Sequence, residues 1–489
     1  LLPNYYIGAE GEYYYTASLK MALIETTPPS VKEITIRRHS LEMDGSISKE
    51  LSVRLKDGDG NLEAIILGKK EIYVFLSTFN RSEYILSVKS IALSSMNEGG
   101  ERREVLRFPK SKLLIAVFDK FRFQMPPDKS HLLIWYHQEA KLSAKDELIS
   151  LALFDDKLQA LWQETRTATD TNHHFVLNQI RTDRQGNTTM AEGRFVPQTD
   201  GLIGIDELRV WVWDQNGKKS LERTISIEKP IMAGINLQLR PNGELICGGL
   251  YQEDGETGVQ GAFYLRYDAY GELQVEQYSP LQEEITQYFL SPEEHDPSIK
   301  KKKSKKRPLE VDNFSHFSID QMPQMSDGGV LLVIEPQQIL TYPFTADIQI
   351  SLRYYGPLIL ISLDQSGTML WQKQIEKEQI TFPEGSLPSS DYLASYRMIV
   401  TKDQIGFLYS WPDPQKYQRE GKIYASMEQF KVELATIDAA GEIARYDILR
   451  DKEVGRYVFH GNLHQYSANS LLLRLDEEEN HRYVKISFE

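Results

Sequence analysis

The chain has 489 residues, 41% of them apolar and 26% charged, with 31 Gly and 21 Pro, which is the composition of a folded globular protein with a sizeable core. Its formal net charge of −14 disfavours sequence-independent binding to a nucleic-acid backbone. No apolar run reaches the roughly 18 residues that a spanning helix needs.

Read from the amino terminus, the chain begins at Leu1, which suggests that a stretch such as a signal peptide precedes the numbered residues. Alternating apolar runs of strand length then recur on either side of short turns that carry Asp or Asn and Gly. Weak copies fall at Met43-Asp44-Gly45, at Asn97-Glu98-Gly99 and at Asp155-Asp156-Lys157, where the glycine is missing. Clear copies follow: Val210-Trp211-Val212-Trp213 before Asp214-Gln215-Asn216-Gly217, and Phe263 to Tyr267 before Asp268-Ala269-Tyr270-Gly271. Two more are Leu358 to Leu363 before Asp364-Gln365-Ser366-Gly367, and Val432 to Ile437 before Asp438-Ala439-Ala440-Gly441. Each reads as a β-hairpin in which Asp bonds the local backbone and Gly supplies a positive φ. A second turn lies upstream of several of them, at Asp183 to Asn187, Arg240 to Glu244 and Ser326 to Gly329.

The first five markers are spaced by roughly 50 to 60 residues, and the later gaps keep that period once extra segments are set aside. About four strands per unit at this period predict an all-β fold: a β-propeller of four-stranded blades, eight rather than seven, in one domain spanning 1–489. Insertions are expected near 280–315, 341–356 and 383–426, and Leu1 to Ile7 are expected to supply the outer strand of the last blade, closing the propeller with strands from both chain ends.

The repeat resembles that of β-propellers common in bacterial cell-envelope proteins, particularly of Bacteroidota, whose blades carry an apolar strand, an Asp-x-x-Gly turn and often a following Trp. Leu363-Asp364-Gln365-Ser366-Gly367-Thr368-Met369-Leu370-Trp371 matches it most fully, and Leu158-Gln159-Ala160-Leu161-Trp162 keeps the Trp without the glycine. The resemblance spans nearly the whole chain and implies a fold and a periplasmic or envelope location. It carries over no functional residue.

Local catalytic motifs are missing: there is no G-x-S-x-G elbow, Walker A loop or H-E-x-x-H. Cys247 is the single cysteine, so no intrachain disulfide or cysteine cluster can form, and it reads as a buried small apolar residue. His460 and His464 have the spacing of zinc ligands on a helix, but Gly461 and Asn462 between them favour a loop. His173 and His174 would point to opposite faces of a strand. Asp57-Gly58-Asp59-Gly60-Asn61 starts like a calcium loop but has Leu62 where glycine is required, so it reads as a tight turn. No cofactor, metal or catalytic residue is therefore assigned.

Lys300, Lys301, Lys302, Lys303, Lys305, Lys306 and Arg307 concentrate positive charge in an acidic chain and read first as a solvated surface loop, able also to meet an acidic partner or lipid headgroups. Trp411 and the pair Tyr354-Tyr355 are expected to be exposed beside insertions, whereas Trp211 and Trp213 are expected between blades. The functional expectation is a non-catalytic scaffold or protein-interaction subunit of a bacterial envelope assembly, beside an outer-membrane transport or secretion channel, with Lys300 to Arg307 and Trp411 as partner-binding residues. The competing expectation is a glycan-binding or glycan-cleaving propeller with its site at the channel mouth.

Overall fold

The computed structural model describes residues 2–22, 30–40, 47–55, 60–80, 83–109, 121–126, 128–138, 147–168, 173–176, 179–197, 203–226, 231–253, 256, 258–286, 289, 310–311, 316–343, 349–377, 379–381, 396–401, 404–412, 430–449, 457–458, 463–467, 470–477 and 480–487. The chain divides into two compact units, Leu1–Glu192 with Val210–Glu222, and Gly193–Arg209 with Arg223–Glu489.

The first unit opens with a sheet of strands Leu2–Glu10, Tyr13–Ala22, Ser30–Ser40 and Ile47–Arg54, paired antiparallel in that order. Strands Asn61–Leu67, Glu71–Phe79 and Glu83–Ala92 form a second sheet, whose outer edge is shared by Asn97–Glu98 and Arg103–Pro109. Phe121–Gln124, His131–Gln138, Leu148–Asp155 and Ala160–Thr167 form a third. The second unit repeats the plan with Ile231–Leu239, Leu245–Gln252, Gly261–Tyr267 and Leu273–Pro280, and again with Tyr396–Val400, Gln404–Pro412, Phe430–Asp438 and Ile443–Leu449. Between these lies a sheet of His316–Gln321, Val330–Pro343, Leu358–Leu363 and Met369–Ile375, extended by Gln349–Tyr355 and Gln379–Thr381.

Period-two alternation explains why the inner strands are apolar almost throughout. In the strand Glu71–Phe79, Ile72, Val74 and Leu76 join one core with Ala17, Ile34 and Ile36, while Tyr73 and Phe75 join another with Leu132, Ile134 and Phe154. Val330, Leu332 and Ile334 likewise face a core containing Ile246 and Tyr264, whereas Leu331 and Val333 face one containing Phe407 and Ala435. Each inner strand thus buries both faces, as Leu358–Leu363 does at every position. The outermost strand Ala160–Thr167 alternates between exposed and half-buried residues. Serial four-stranded antiparallel sheets packed face to face in this way are blades, and the fold is an all-β β-propeller.

The Asp turns form as the spacing predicts. Oδ1 of Asp214 accepts from the N–H groups of Asn216 at 2.8 Å and Lys218 at 3.0 Å, and Asp268 and Asp364 make the same pair of bonds. Asp155 does so without a glycine, because Leu158 itself takes a φ of 57°. At Asn97 the turn precedes the marker: the Met96 N–H donates to Ala92 O, and Asn97–Glu98 is already a strand. Met43-Asp44-Gly45 lies outside the described residues.

The Trp of the motif has a partner in the next turn. A Cβ at Gly217, where φ is 75°, would lie 2.7 Å from Trp162, and one at Gly441, where φ is 82°, would lie 2.9 Å from Trp371. Trp371 also donates from Nε1 to Ala439 O at 3.1 Å. An outer-strand Trp therefore covers the glycine of the following turn, which needs that glycine for two reasons: backbone conformation and space.

Two expectations need correction. Leu2–Glu10 pairs with Tyr13–Ala22 as the first strand of the first sheet, with Tyr5 opposite Ala17. Among the described residues the last sheet comprises Tyr457–Val458, Leu463–Ser467, Ser470–Glu477 and Asn480–Ser487, with Asn480–Ser487 paired to Ser470–Glu477, rather than taking its outer strand from Leu1 to Ile7. The adjacent chain segment forms a hairpin more readily than a distant one, because closing a short loop costs less entropy. The insertion expected from about 280 also begins later: Leu281, Ile285 and Phe289 are buried in the core around Val330 and Leu332, with Glu283–Thr286 forming a helical turn.

Candidate functional site

Up-and-down pairing gives each sheet two different ends. The hairpins joining first to second and third to fourth strands lie at one end and carry the short turns described above. The hairpin joining second to third strands, and the connection onward to the next sheet, lie at the other. All three expected insertions leave from that loop end: the segment after Pro280, the extension of Val330–Pro343 by Gln349–Tyr355, and the segments after Thr381 and Pro412.

Three clusters of buried ionisable side chains lie at the loop ends of their own sheets. In the first unit, Glu147 starts the strand Leu148–Asp155 and His137 nearly ends His131–Gln138, so the hairpin brings them together although ten positions separate them. His174 arrives from the short strand His173–Phe175. Glu147 Oε1 meets His137 Nε2 at 2.8 Å and accepts from the Phe175 N–H at 3.2 Å, while Oε2 meets His174 Nδ1 at 2.7 Å. The carboxylate is 5% exposed, the His137 side chain 14% and the His174 side chain 45%. Burial alone would raise the Glu147 pKa, but the hydrogen bonds from His137, the Phe175 N–H and His174 outweigh it and hold the carboxyl below its ordinary value. A buried carboxylate bonded to Nδ1 fixes the orientation of a half-exposed imidazole.

The second unit has two related clusters. Lys377 and Glu335, both fully buried, pair at 2.5 Å, with Gln379 Oε1 accepting from Lys377 Nζ at 3.0 Å and the Tyr355 ring 5.9 Å from it. Tyr409 donates to Glu433 Oε1 at 2.6 Å, and Arg445 Nη1 reaches the same oxygen at 3.4 Å. Burial and the adjacent Glu433 raise the Tyr409 pKa. Glu335, Lys377 and Glu433 are buried, whereas the Arg445 side chain is partly exposed.

Of the residues singled out from sequence, Lys300, Lys301, Lys302, Lys303, Lys305, Lys306 and Arg307 lie outside the described residues. Trp411 is placed by its backbone opposite Lys431, at the loop end of the strand Gln404–Pro412. Tyr355 is buried rather than exposed, because it packs over Lys377. Trp211 and Trp213 are buried as expected, with the Arg166 guanidinium 4.5 Å from the Trp211 ring. His173 is buried and His174 half-buried, on opposite faces as a strand requires. Cys247 is fully buried, and burial pushes its thiol pKa up. His464 belongs to a strand; His460 and Asp57 to Asp59 lie outside the described residues. Sequence reasoning missed Glu147, His137 and Glu335. For the first two a usable signal existed: a His and a Glu flanking one hairpin connection, with an adjacent His pair downstream.

No protein-family model and no curated protein matches the chain. Solved structures similar to it include the WD40 domain of SCAP from fission yeast, 11% identical over 100% of this chain and 96% of that one, with a TM-score of 0.34. An ulvan lyase, a polysaccharide lyase, is 10% identical over 87% of this chain and 92% of its own, with a TM-score of 0.40. An acylaminoacyl peptidase from Pyrococcus horikoshii is 11% identical over 98% of this chain and 57% of its own, with a TM-score of 0.34. No residue role passes from any of them to this chain.

Proposed function

We propose that the chain is a scaffold or protein-interaction subunit of a bacterial envelope assembly, standing in the periplasm beside an outer-membrane transport or secretion channel. The observation that carries this reading is the placement of the variable segments at the loop end of their sheets. Several described turn-end hairpins repeat one short Asp-anchored turn, at Asp155, Asp214, Asp268 and Asp364, whereas the connections at the loop end differ more in length from sheet to sheet. The Lys300 to Arg307 run, which falls in the sequence between Pro280 and His316, brings seven positive charges that suit an acidic partner. Three buried loop-end carboxylates are bound to internal partners, Glu147 to two imidazoles, Glu335 to Lys377 and Glu433 to Tyr409 and Arg445, which suits docking better than a glycosidase-like pair built from them.

We read the molecule as one domain of eight blades, counting 173–226 and 231–280 separately because they meet edge to edge through the single pair Ile205 and Met232. The test of function is affinity purification from the native host after gentle solubilisation, in parallel with a chain lacking 291–309, a deletion that spares the buried Phe289. Envelope proteins at constant stoichiometry with the full chain, and their loss from the deleted one, are expected. A chain that emerges alone contradicts the docking role.

A further inference from the structure

The chain carries two Asn-Gly pairs, Asn216-Gly217 and Asn242-Gly243, and both fall in the same kind of turn. The Gly217 N–H donates to Asp214 O at 3.0 Å and the Asp214 N–H to Lys218 O at 2.9 Å, while the Gly243 N–H donates to Arg240 O at 2.9 Å and the Arg240 N–H to Glu244 O at 2.8 Å. The two glycines take φ of 75° and 86°, and both asparagines are exposed. In each pair the residue after Asn has no Cβ, so no side chain stands between its backbone nitrogen and the Asn amide.

The turns differ in what holds that amide. Arg240 opens the second turn and has no carboxylate to offer it, so the Glu244 N–H donates to Asn242 Oδ1 at 3.1 Å. The Asn242 amide also bonds the Glu244 carboxylate, and that bond is foremost in holding the carboxyl below its ordinary value. Asn242 is gripped at both ends of its side chain. In the first turn Asp214 Oδ1 takes the equivalent N–H, that of Lys218, at 3.0 Å, and Lys218 brings a cation where Glu244 brings an acceptor. The Asp that anchors this hairpin thereby leaves the Asn216 amide without the two bonds that restrain Asn242. We propose that Asn216 is a site of covalent modification by deamidation, with water as co-reactant, and that Asn242 is protected from it.

In the reaction the Gly217 nitrogen gives its proton to hydroxide and bonds to Asn216 Cγ as the bond from Cγ to Nδ2 breaks. The departing nitrogen takes a proton from water and leaves as ammonia. Water then adds to one of the two carbonyl carbons of the cyclic imide and breaks that carbon's bond to nitrogen, giving aspartate or isoaspartate. Either product adds a negative charge near Asp214, and isoaspartate also inserts a carbon into the backbone of the turn that packs Gly217 against Trp162. Releasing the glycine N–H from its carbonyl is a cost common to both turns, so the side-chain bonds decide between them.

The experiment holds the purified full chain at mildly alkaline pH beside a sample unfolded in guanidinium chloride, and follows the tryptic peptides bearing Asn216 and Asn242 by mass spectrometry for conversion of amide to acid. Dividing each site's folded rate by its own unfolded rate removes the effect of flanking sequence. The quotient for Asn216 should exceed that for Asn242 at least about fivefold, the factor set by one hydrogen bond of ordinary strength. A quotient for Asn216 no higher than that for Asn242 overturns the proposal, as does an unmodified Asn216 in the folded chain once the unfolded chain is fully converted. The readout needs no partner protein, so its failure and failure of the docking reading are separable.

Discussion

At the scale of single residues, the Asp-x-x-Gly turn is a unit whose parts can be tested one at a time. Gly217→Ala and Gly441→Ala each place a methyl within 3 Å of a Trp at a φ near 80°, so each should cost about 2 kcal/mol or more in urea unfolding, of which roughly 1 reflects backbone conformation. Leu158→Gly relieves the same backbone conformation but uncovers a side chain that is 4% exposed, and the lost burial of about 2 kcal/mol should make it net destabilising. Glu147 makes a pH-dependent prediction. Its carboxyl titrates below the ordinary 4.5, so the bonds it accepts contribute fully above that value and fade as pH falls through the lowered one. The wild-type urea midpoint should therefore lead that of Glu147→Gln at neutral pH, and the gap should close in acid. These turns were legible in the sequence because Asp, Gly and the hydrogen bonds linking them lie within five consecutive positions. The Glu147 cluster was less legible: the hairpin that joins His137 to Glu147 left a signal in the sequence, but the approach of His174 depends on a sheet-to-sheet contact that spacing does not reveal.

At the scale of elements, strands were readable wherever two-sided burial makes them apolar throughout, as in Leu358–Leu363 and Leu148–Asp155. The extension of Val330–Pro343 was read as an insertion because Gln337, Gln338 and Thr341 interrupt its apolar run, yet it pairs as a hairpin with Gln349–Tyr355. The amino-terminal strand was misassigned for a related reason: apolar alternation identifies a strand but not its neighbour. Lys377 and Glu335 fix the stem of the connection that leaves this sheet. Lys377→Met alone strands a buried carboxylate and should cost about 3–5 kcal/mol, while Lys377→Met with Glu335→Leu should recover most of that loss, as denaturant unfolding of the three variants would show. Trp371→Ala removes both the cover of Gly441 and the bond to Ala439 O, and should cost about 3 kcal/mol.

At the scale of the whole molecule, the contrast, sheet by sheet, between short Asp turns at one end and connections of unequal length at the other is the feature from which function is read. It was partly visible in the sequence, since unequal gaps between regular markers already implied segments outside the repeat. The two-endedness appeared only once the strand order was known, because a gap in sequence does not say which end of a sheet it leaves. Cys247 is the single cysteine and is fully buried, so an engineered surface cysteine would be the one accessible thiol and could carry a photo-cross-linker to a chosen end. Tyr270→Cys, at a position 90% exposed, reports on the turn end, and Glu284→Cys, at an exposed position just past Pro280, reports on the loop end. The decisive measurement is cross-linking of both variants in the native envelope. Adducts to partner proteins from position 284 and none from position 270 are the predicted result; adducts from 270 but not 284, or from neither, would contradict the account.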